Sequence, residues 1–273
     1  MGGQRWYLRQ GSHDVSELEL ARFAVVIPAY NEAATIRDVA IRALRQVPRV
    51  IVVDDGSVDG MASELDALPL TLLQNPANLG KAASLWRGMQ QALQDGAEGV
   101  ITLDGDGQHG AEDIPRLIAE FKRHSNAIII GSRLHDKRNM PTARYCANRF
   151  ANFWIAWAAG APLADSQSGY RIYPTALLKS VNIAHDQSAG FVFESEILIE
   201  AGQRGVPIIT VPIRAIYSSQ GRPSHFRKVL DTAHIVRMVA WRLLSRGLYL
   251  NGLVRSLRRD SVGEQAGHAP KRG

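Results

Sequence analysis

A chain of 273 residues, 45% apolar and 21% charged, has an ordinary globular balance that supplies a core for one large domain, or one domain with an appendage. Its single cysteine, Cys146, excludes an internal disulfide, suits a reducing cytoplasm and is expected to be a small buried residue. Residues 1–20 carry Arg5, Arg9, Asp14, Glu17 and Glu19 without an apolar block, unlike a signal peptide, and the most apolar window, 150–164, falls short of the ~20 residues of a membrane span.

In chain order, Phe23–Pro28 reads as a strand, and Asn31 is placed to cap a helix over Glu32–Gln46 whose buried stripe is Ile36, Val39, Ala40, Ala43 and Leu44. Val50–Val53 is a second strand ending at Asp54-Asp55-Gly56-Ser57, and Leu70–Leu73 a third. Gly80–Gln94 is helical, with Ala83, Leu85, Trp86, Met89 and Leu93 on or near one face. Gly99–Leu103 is a strand, Ala111–Arg123 a helix and Ala127–Ile130 a strand. Pro141–Gly160 reads as a helix with Arg144 and Asn148 one turn apart, Asp165–Arg171 as a loop, Phe191–Arg204 as a helix and Val206–Ile213 as a strand. Phe226–Arg246 is a long amphipathic helix with Val229, Ala233, Val236, Ala240 and Leu243 on one side. Strands alternating with helices predict an α/β fold with a doubly wound, mostly parallel sheet, whose ligands sit at the carboxyl ends of the strands. The expected organisation is an N-terminal tail over 1–20, a catalytic domain over 21–217, a basic amphipathic segment over 218–259 and a disordered tail over 260–273.

The stretch Gly99–Gly110 carries the chemistry. An apolar strand delivers Asp104 and Asp106 into a glycine-rich loop, and residues i and i+2 of extended chain point to one side. Two such carboxylates repel unless a cation sits between them, and Mg²⁺ is held by one or two carboxylates plus substrate phosphates. Gly105, Gly107 and Gly110 also satisfy the dinucleotide fingerprint G-x-G-x-x-G. That motif brings pyrophosphate against bare backbone N–H groups, where these two acids would repel it. The acid expected about 20 residues on is replaced by Gly131-Ser132-Arg133.

Charge points to an anionic partner. From Arg214 to Arg259 there are ten Arg and Lys against one acid, Asp231. No nucleic-acid module accompanies these cations, so no nucleic-acid partner is expected. A helix over 226–246 with Trp241, Tyr249 and alternating arginines fits a peripheral helix on an anionic membrane surface, at the cytoplasmic face; equally, it fits a helix packed on the domain with a solvated basic face.

Five ordered motifs, Ile27-Pro28-Ala29-Tyr30-Asn31-Glu32, Val53-Asp54-Asp55-Gly56-Ser57, Asn78-Leu79-Gly80-Lys81, Leu103–His109 and Ser168-Gly169-Tyr170-Arg171, resemble glycosyltransferase family 2 over residues 22–226. The branch they are most similar to is that of the dolichyl- and polyprenyl-phosphate mannosyl- and glucosyltransferases. The resemblance implies a GT-A fold, a UDP- or GDP-sugar donor, Mg²⁺ or Mn²⁺, inversion at the anomeric carbon, and a lipid-phosphate or hydroxyl acceptor. It implies that Pro28, Tyr30 and Glu32 line the nucleoside pocket and that Val53 and Asp55 flank the base. Asp104 and Asp106, helped by Gln108, would hold the metal, with Gly105 between them in the donor site. Arg133 and Arg214 would neutralise phosphate, Arg144 and Asn148 would meet a lipid phosphate, and Ser168, Gly169 and Arg171 would form the acceptor loop. A hydroxyl acceptor needs a base, for which Asp165 and Glu194 are both candidates. Where relatives have Gly-x-Ser-Lys, this chain has Gly221-Arg222-Pro223-Ser224-His225-Phe226-Arg227, leaving His225, Arg222 or Arg227 to replace the lysine. Lys81 is expected near the nucleotide as a helix-start residue, and His109 behind the site or on the surface.

Overall fold

The computed structural model describes residues 17–132, 134, 142–183, 192–213 and 228–257, without the side chains of residues 17, 142–144 and 228–234. Its strands are β1 (Phe23–Ala29), β2 (Val50–Asp54), β3 (Thr71–Gln74), β4 (Gly99–Thr102), β5 (Ile128–Ser132), β6 (Arg171–Pro174) and β7 (Ile208–Pro212), joined in one sheet in the order β3-β2-β1-β4-β6-β5-β7. All pairs are parallel except those of β6, which runs antiparallel to both β4 and β5. Strand β6 was not expected, because it follows directly from the 165–171 loop and offers only four residues of pattern. It decides the geometry. Its first residue, Arg171, pairs with Thr102, the last of β4, so the loop entering β6 lies beside the loop leaving β4.

The helices are α1 (Glu17–Leu20), α2 (Ile36–Leu44), α3 (Met61–Glu64), α4 (Lys81–Gln94), α5 (Ile114–Arg123), α6 (Thr142–Ala159), α7 (Thr175–Ser180), α8 (Val192–Gln203), α9 (Lys228–Leu244) and α10 (Leu250–Leu257). Strand periodicity divides the core between the two faces of the sheet. Val25 and Ile27 of β1 pack with Val39 of α2 and Leu117 and Phe121 of α5, whereas Val26 packs with Leu85 and Met89 of α4 on the opposite face. That second face continues through Ile155 of α6 and Phe193 and Ile197 of α8.

Several local expectations change. Asn31 does not cap a helix: it sits in the left-handed region at φ 56°, and its side-chain oxygen accepts the Val58 N–H at 2.9 Å. The chain turns over 32–35 before α2 begins at Ile36. On α4 the buried stripe is Ala82, Leu85, Met89 and Ala92, with Trp86 and Leu93 partly buried, rather than one including Ala83. On α9 it is Ile235, Val239 and Leu243, which leaves Val236 and Ala240 exposed. Cys146 is exposed rather than buried.

One glycine sets the distance between α4 and the sheet. A Cβ on Gly88 would stand 2.4 Å from Val26 Cγ1 and 3.0 Å from Val53 Cγ2. In an exposed helix Gly→Ala gains about 1 kcal/mol, but an added methyl against stiff β-branched neighbours costs about 1–3 kcal/mol. Gly88→Ala should therefore lower the thermal midpoint; an unchanged or raised midpoint would show that α4 does not lie this close.

Candidate active site

The carboxyl ends of β1, β2 and β4 and the start of β6 converge on one edge of the sheet. Beyond β4, the chain is pinned from several sides. Thr35 Oγ1 donates to the Gly105 carbonyl at 2.8 Å, and Tyr170 Oη donates to the Gly110 carbonyl at 3.1 Å. A Cβ on Gly105 would lie 3.1 Å from Ala29 Cβ and 3.4 Å from the Pro28 carbonyl, so the loop rests against the end of β1. Asp106 Oδ1 accepts the Gln108 N–H at 3.0 Å, closing a tight turn in which Gly107 has φ +72°. Asp104, Asp106 and Gln108 remain half-buried. His109 is buried, its ring stacked on Tyr170 at 5.4 Å, with Nδ1 4.0 Å from Asp104 Oδ2.

The loop entering β6 meets this turn. Thr102 Oγ1 donates to the Gly169 carbonyl at 2.7 Å. A Cβ on Gly169 would lie 3.0 Å from Asp104 Oδ2 and 3.2 Å from Glu194 Oε1, so a side chain there would press on both carboxylates and require them to give by a few tenths of an ångström. Lys81, the first residue of α4, joins those two acids: its Nζ is 2.9 Å from Asp104 Oδ1 and 3.1 Å from Glu194 Oε2. Lys81 is thus more than a helix start; among the described residues it is the cation that pairs with both acids. Burial by itself would lower its pKa, but the Asp104 and Glu194 carboxylates outweigh that and hold it well above the ordinary lysine value. The Glu194 side chain is 8% exposed and its Oε1 is buried without a hydrogen-bond partner.

The other expected residues divide into three groups. Pro28 is buried at the end of β1, while Tyr30 and Glu32 are half-buried just beyond it, with Thr35 Oγ1 3.3 Å from Glu32 Oε2. Asp55 is buried, and its carboxylate accepts from Asn75 Nδ2 at 2.8 Å and from the Leu79 and Gly80 N–H groups at 2.9 Å each. It therefore fixes the turn that presents Lys81. Four further side chains are buried inside the protein. Val53 is fully buried in the α4 layer and has no side-chain surface with which to flank a base. Arg171 is 1% exposed and donates to the carbonyls of Ser166, Ser168 and Glu194 and to Tyr173 Oη, which makes it the internal brace of the loop entering β6. Asp165 is buried and accepts from Ser132 Oγ at 2.7 Å and from the Gln167 and Ser168 N–H groups, so it organises the same loop. Ser168, also buried, donates through Oγ to the Gly131 carbonyl. Asn148 is half-buried on α6; Arg133, Arg214 and His225 lie outside the described residues, as does the side chain of Arg144.

Sequence reasoning missed the Lys81–Glu194 contact, since 113 residues separate the partners and no local pattern links them. Glycine at 169 is the one signal that something large stands opposite.

The donor set fits a hard divalent cation. All candidate ligands are oxygens, and the carboxylates of Asp104, Asp106 and Glu194 formally outnumber the Lys81 ammonium. Among the described residues no three His, Cys, Asp or Glu side chains form a metal cage of their own. Mg²⁺ is commonly held by one or two carboxylates and completed by phosphate oxygens and water.

Residues 24–191 match the model of the family described as Glycosyl transferase family 2. The chain belongs to that family. This glycosyltransferase is similar to the polyprenol monophosphomannose synthase of Mycolicibacterium smegmatis, with 29% identity over 203 residues covering 70% of the chain and 76% of the relative. It is also similar to the UDP-N-acetylglucosamine–dolichyl-phosphate N-acetylglucosaminyltransferase of Methanococcus voltae, with 30% identity over 217 residues covering 71% and 85%. Its fold is that of the glucosyl-3-phosphoglycerate synthase of Mycobacterium tuberculosis, solved with Mn²⁺, uridine diphosphate and glucosyl-3-phosphoglycerate. The TM-score is 0.57 at 20% identity, covering 93% of this chain and 88% of the other. The GT-A expectation therefore holds for the glycosyltransferase.

Removing the central cation of the glycosyltransferase site leaves two acids facing each other. Lys81→Met should destabilise the fold at pH 7 toward the low end of the roughly 3–5 kcal/mol for breaking a buried pair, because Lys81 and Asp104 keep 24% and 28% of their side-chain exposure. Because the folded-state pKa lies above the ordinary 10.5, the native protein holds this proton where the unfolded chain releases it. The stabilisation is complete below pH 10.5 and declines as pH rises beyond it. Melting curves should show a gap between wild type and Lys81→Met that is constant from pH 7 to about 10 and narrows above; a gap that widens in alkali would contradict the pairing.

Proposed function

We propose that this glycosyltransferase moves a sugar from a UDP- or GDP-sugar to a polyprenyl-phosphate type of lipid acceptor, with inversion at the anomeric carbon and with Mg²⁺ or Mn²⁺ on the donor diphosphate. The observation that carries the reading is the meeting of the Asp104-Gly105-Asp106 turn with the loop entering β6, sealed by Thr102 and Gly169 and centred on Lys81. The names of the two relatives support the lipid-phosphate acceptor.

A bound divalent cation would supply charge neutralisation for the departing nucleoside diphosphate. The protein supplies the rest. Pro28, Tyr30 and Glu32 at the end of β1 border the nucleoside side, and Asp55 acts on it indirectly by fixing the 75–80 turn. Arg133 and Arg214 are proposed to meet the diphosphate, and His225 to stand in for a lysine there. Lys81 holds positive charge beside Asp104 at every physiological pH, a fixed electrostatic element already oriented before the donor arrives. The acceptor enters past the Ser166–Gly169 loop that Arg171 and Asp165 hold rigid, with Arg144 and Asn148 proposed at its phosphate. A lipid phosphate is already an anion and attacks the anomeric carbon without a base; the C–O bond to the diphosphate breaks as the new one forms on the opposite face.

One observation favours a second reading, transfer to a hydroxyl. Glu194 places a buried carboxylate oxygen with no hydrogen-bond partner beside Asp104, as a general base would be placed. Asp165 is the weaker candidate, because both of its oxygens already accept hydrogen bonds. We also propose a peripheral membrane location. Among the described residues, no helix is long and apolar enough to cross a membrane.

Radiolabelled UDP- and GDP-sugars, offered with polyprenyl phosphate and Mn²⁺, test the reading. One donor should label the lipid, and the label should vanish with a chelator and fall at least 10²-fold in Asp106→Ala, the scale of losing one transition-state charge contact. Glu194→Gln should keep turnover within about tenfold if the acceptor is a phosphate, and lose at least 10²-fold if a base is required. No labelled lipid with any donor would overturn the acceptor assignment.

A further inference from the structure

Helices α6, α9 and α10 expose a surface that the catalytic domain does not use. Phe150 of α6, Trp241 and Leu244 of α9, and Leu250, Val254 and Leu257 of α10 are each at least 56% exposed. They are large apolar side chains gathered on three packed helices, whereas scattered single ones would need no explanation.

The three helices form one unit. Trp157 Nε1 donates to the carbonyls of Leu248 and Tyr249 at 3.0 and 3.2 Å. The Tyr249 ring is wedged between Gly160, just beyond α6, and Gly252 of α10: a Cβ on either would come within 2.7 or 2.2 Å of it. Tyr249 is thus a packing wedge, not an interfacial residue, and it ties α10 along α6. On α6, Trp154 packs against Phe150, Phe153 and Trp157 with ring centroids 6.1, 5.4 and 5.3 Å away, and Phe153 is itself 42% exposed, so the apolar side chains of this helix form one connected cluster. On α9 the exposed stripe Val236, Ala240 and Leu244 recurs every fourth residue, running alongside the buried stripe Ile235, Val239 and Leu243 about 100° further round the helix.

Charge identifies the occupant. Arg149, Arg237, Arg246 and Arg255 are exposed on these helices and the turn joining the last two. Across the sequences of the three helices there is one acid, Asp231. Aromatic and leucine side chains bordered by arginines, almost without acids, match the interface of an anionic bilayer, where apolar groups enter the acyl boundary and guanidinium groups meet phosphate. A protein partner or a second copy would have to present an acidic rim to these arginines, and the sequences of the three helices hold a single acid, Asp231, with which a second copy could do so. Arg242, by contrast, is held inside by Glu196 and Glu200 of α8, at 3.6 and 2.8 Å, and fixes the angle of α9 on the domain.

We infer that α6, α9 and α10 together form a preorganised docking face for an anionic lipid bilayer. The inference deepens the lipid-acceptor reading and rests on it for its purpose. α6 belongs both to this face and, through its first turns, to the proposed acceptor phosphate site, so docking would set the lipid phosphate at the mouth of the site.

The test uses the full chain and vesicles without any polyprenyl phosphate, so its outcome is independent of whether transfer occurs. Flotation with phosphatidylcholine vesicles containing one quarter phosphatidylglycerol should recover the protein at least tenfold better than phosphatidylcholine alone. Trp241→Ser with Leu244→Ser, and separately Leu250→Ser with Val254→Ser, should each lower the partition coefficient at least fivefold. These side chains are exposed, so melting midpoints should stay unchanged. Brominated lipid should quench tryptophan fluorescence in the wild type and much less in Trp241→Phe. Absence of flotation, flotation equal in wild type and variants, or a concentration-dependent dimer abolished by the same substitutions would each overturn the inference. Transfer to acceptor in detergent separates the two proposals: its loss concerns the reaction, its persistence without flotation concerns only the docking face.

Discussion

The site depends on one ammonium group shared by two acids that stand 90 residues apart in the sequence and meet only in the fold. Lys81 begins α4, Asp104 follows β4 and Glu194 lies in the first turn of α8. Without the cation, packing Asp104 and Glu194 around the bare Cα of Gly169 would set two carboxylates against each other in a poorly solvated place. With it, the acids are held apart, pointed and only partly neutralised. On the proposed reading, that residual negative charge at the carboxyl edge of the sheet would favour a divalent ion and a diphosphate together where neither is favourable alone.

The scaffold achieves this through an interruption of the parallel order. If every strand ran the same way, the start of β6 would lie at the far edge of the sheet. Antiparallel β6 instead brings Ser168, Gly169 and Tyr170 to the edge where β4 ends, and Arg171, buried at its first position, braces the loop through the Ser166 and Ser168 carbonyls. The same residue touches the backbone of Glu194, so the brace of the loop also fixes the carboxylate that Lys81 holds. The loop entering β6 and the start of α8 are thus tied together by one buried side chain.

The alternation of elements, the core of α2, and the acidic turn after β4 were all legible in the sequence, because each rests on local periodicity or on residue types that have few other uses. β6 escaped because four residues give too little pattern, and its neighbours are set by long-range pairing. The apolar face of α9 was misplaced because both sides of that helix carry apolar residues, so period alone does not choose between Val236 and Ile235. Asp55, Asp165 and Arg171 read as site residues by type and position, yet their polar atoms are engaged by backbone groups. A sequence names a carboxylate or guanidinium but does not say whether the fold itself takes up its hydrogen bonds.

The central claim is that Asp104 and Asp106 take up a divalent ion only together with a nucleoside diphosphate. Electron paramagnetic resonance of free Mn²⁺ measures this without turnover. Titrating the protein into Mn²⁺ should remove little of the free-ion signal until UDP or GDP is added, then remove it stoichiometrically, and Asp104→Asn with Asp106→Asn should abolish that uptake. Uptake that needs no nucleotide, or that survives loss of both carboxylates, would contradict the account.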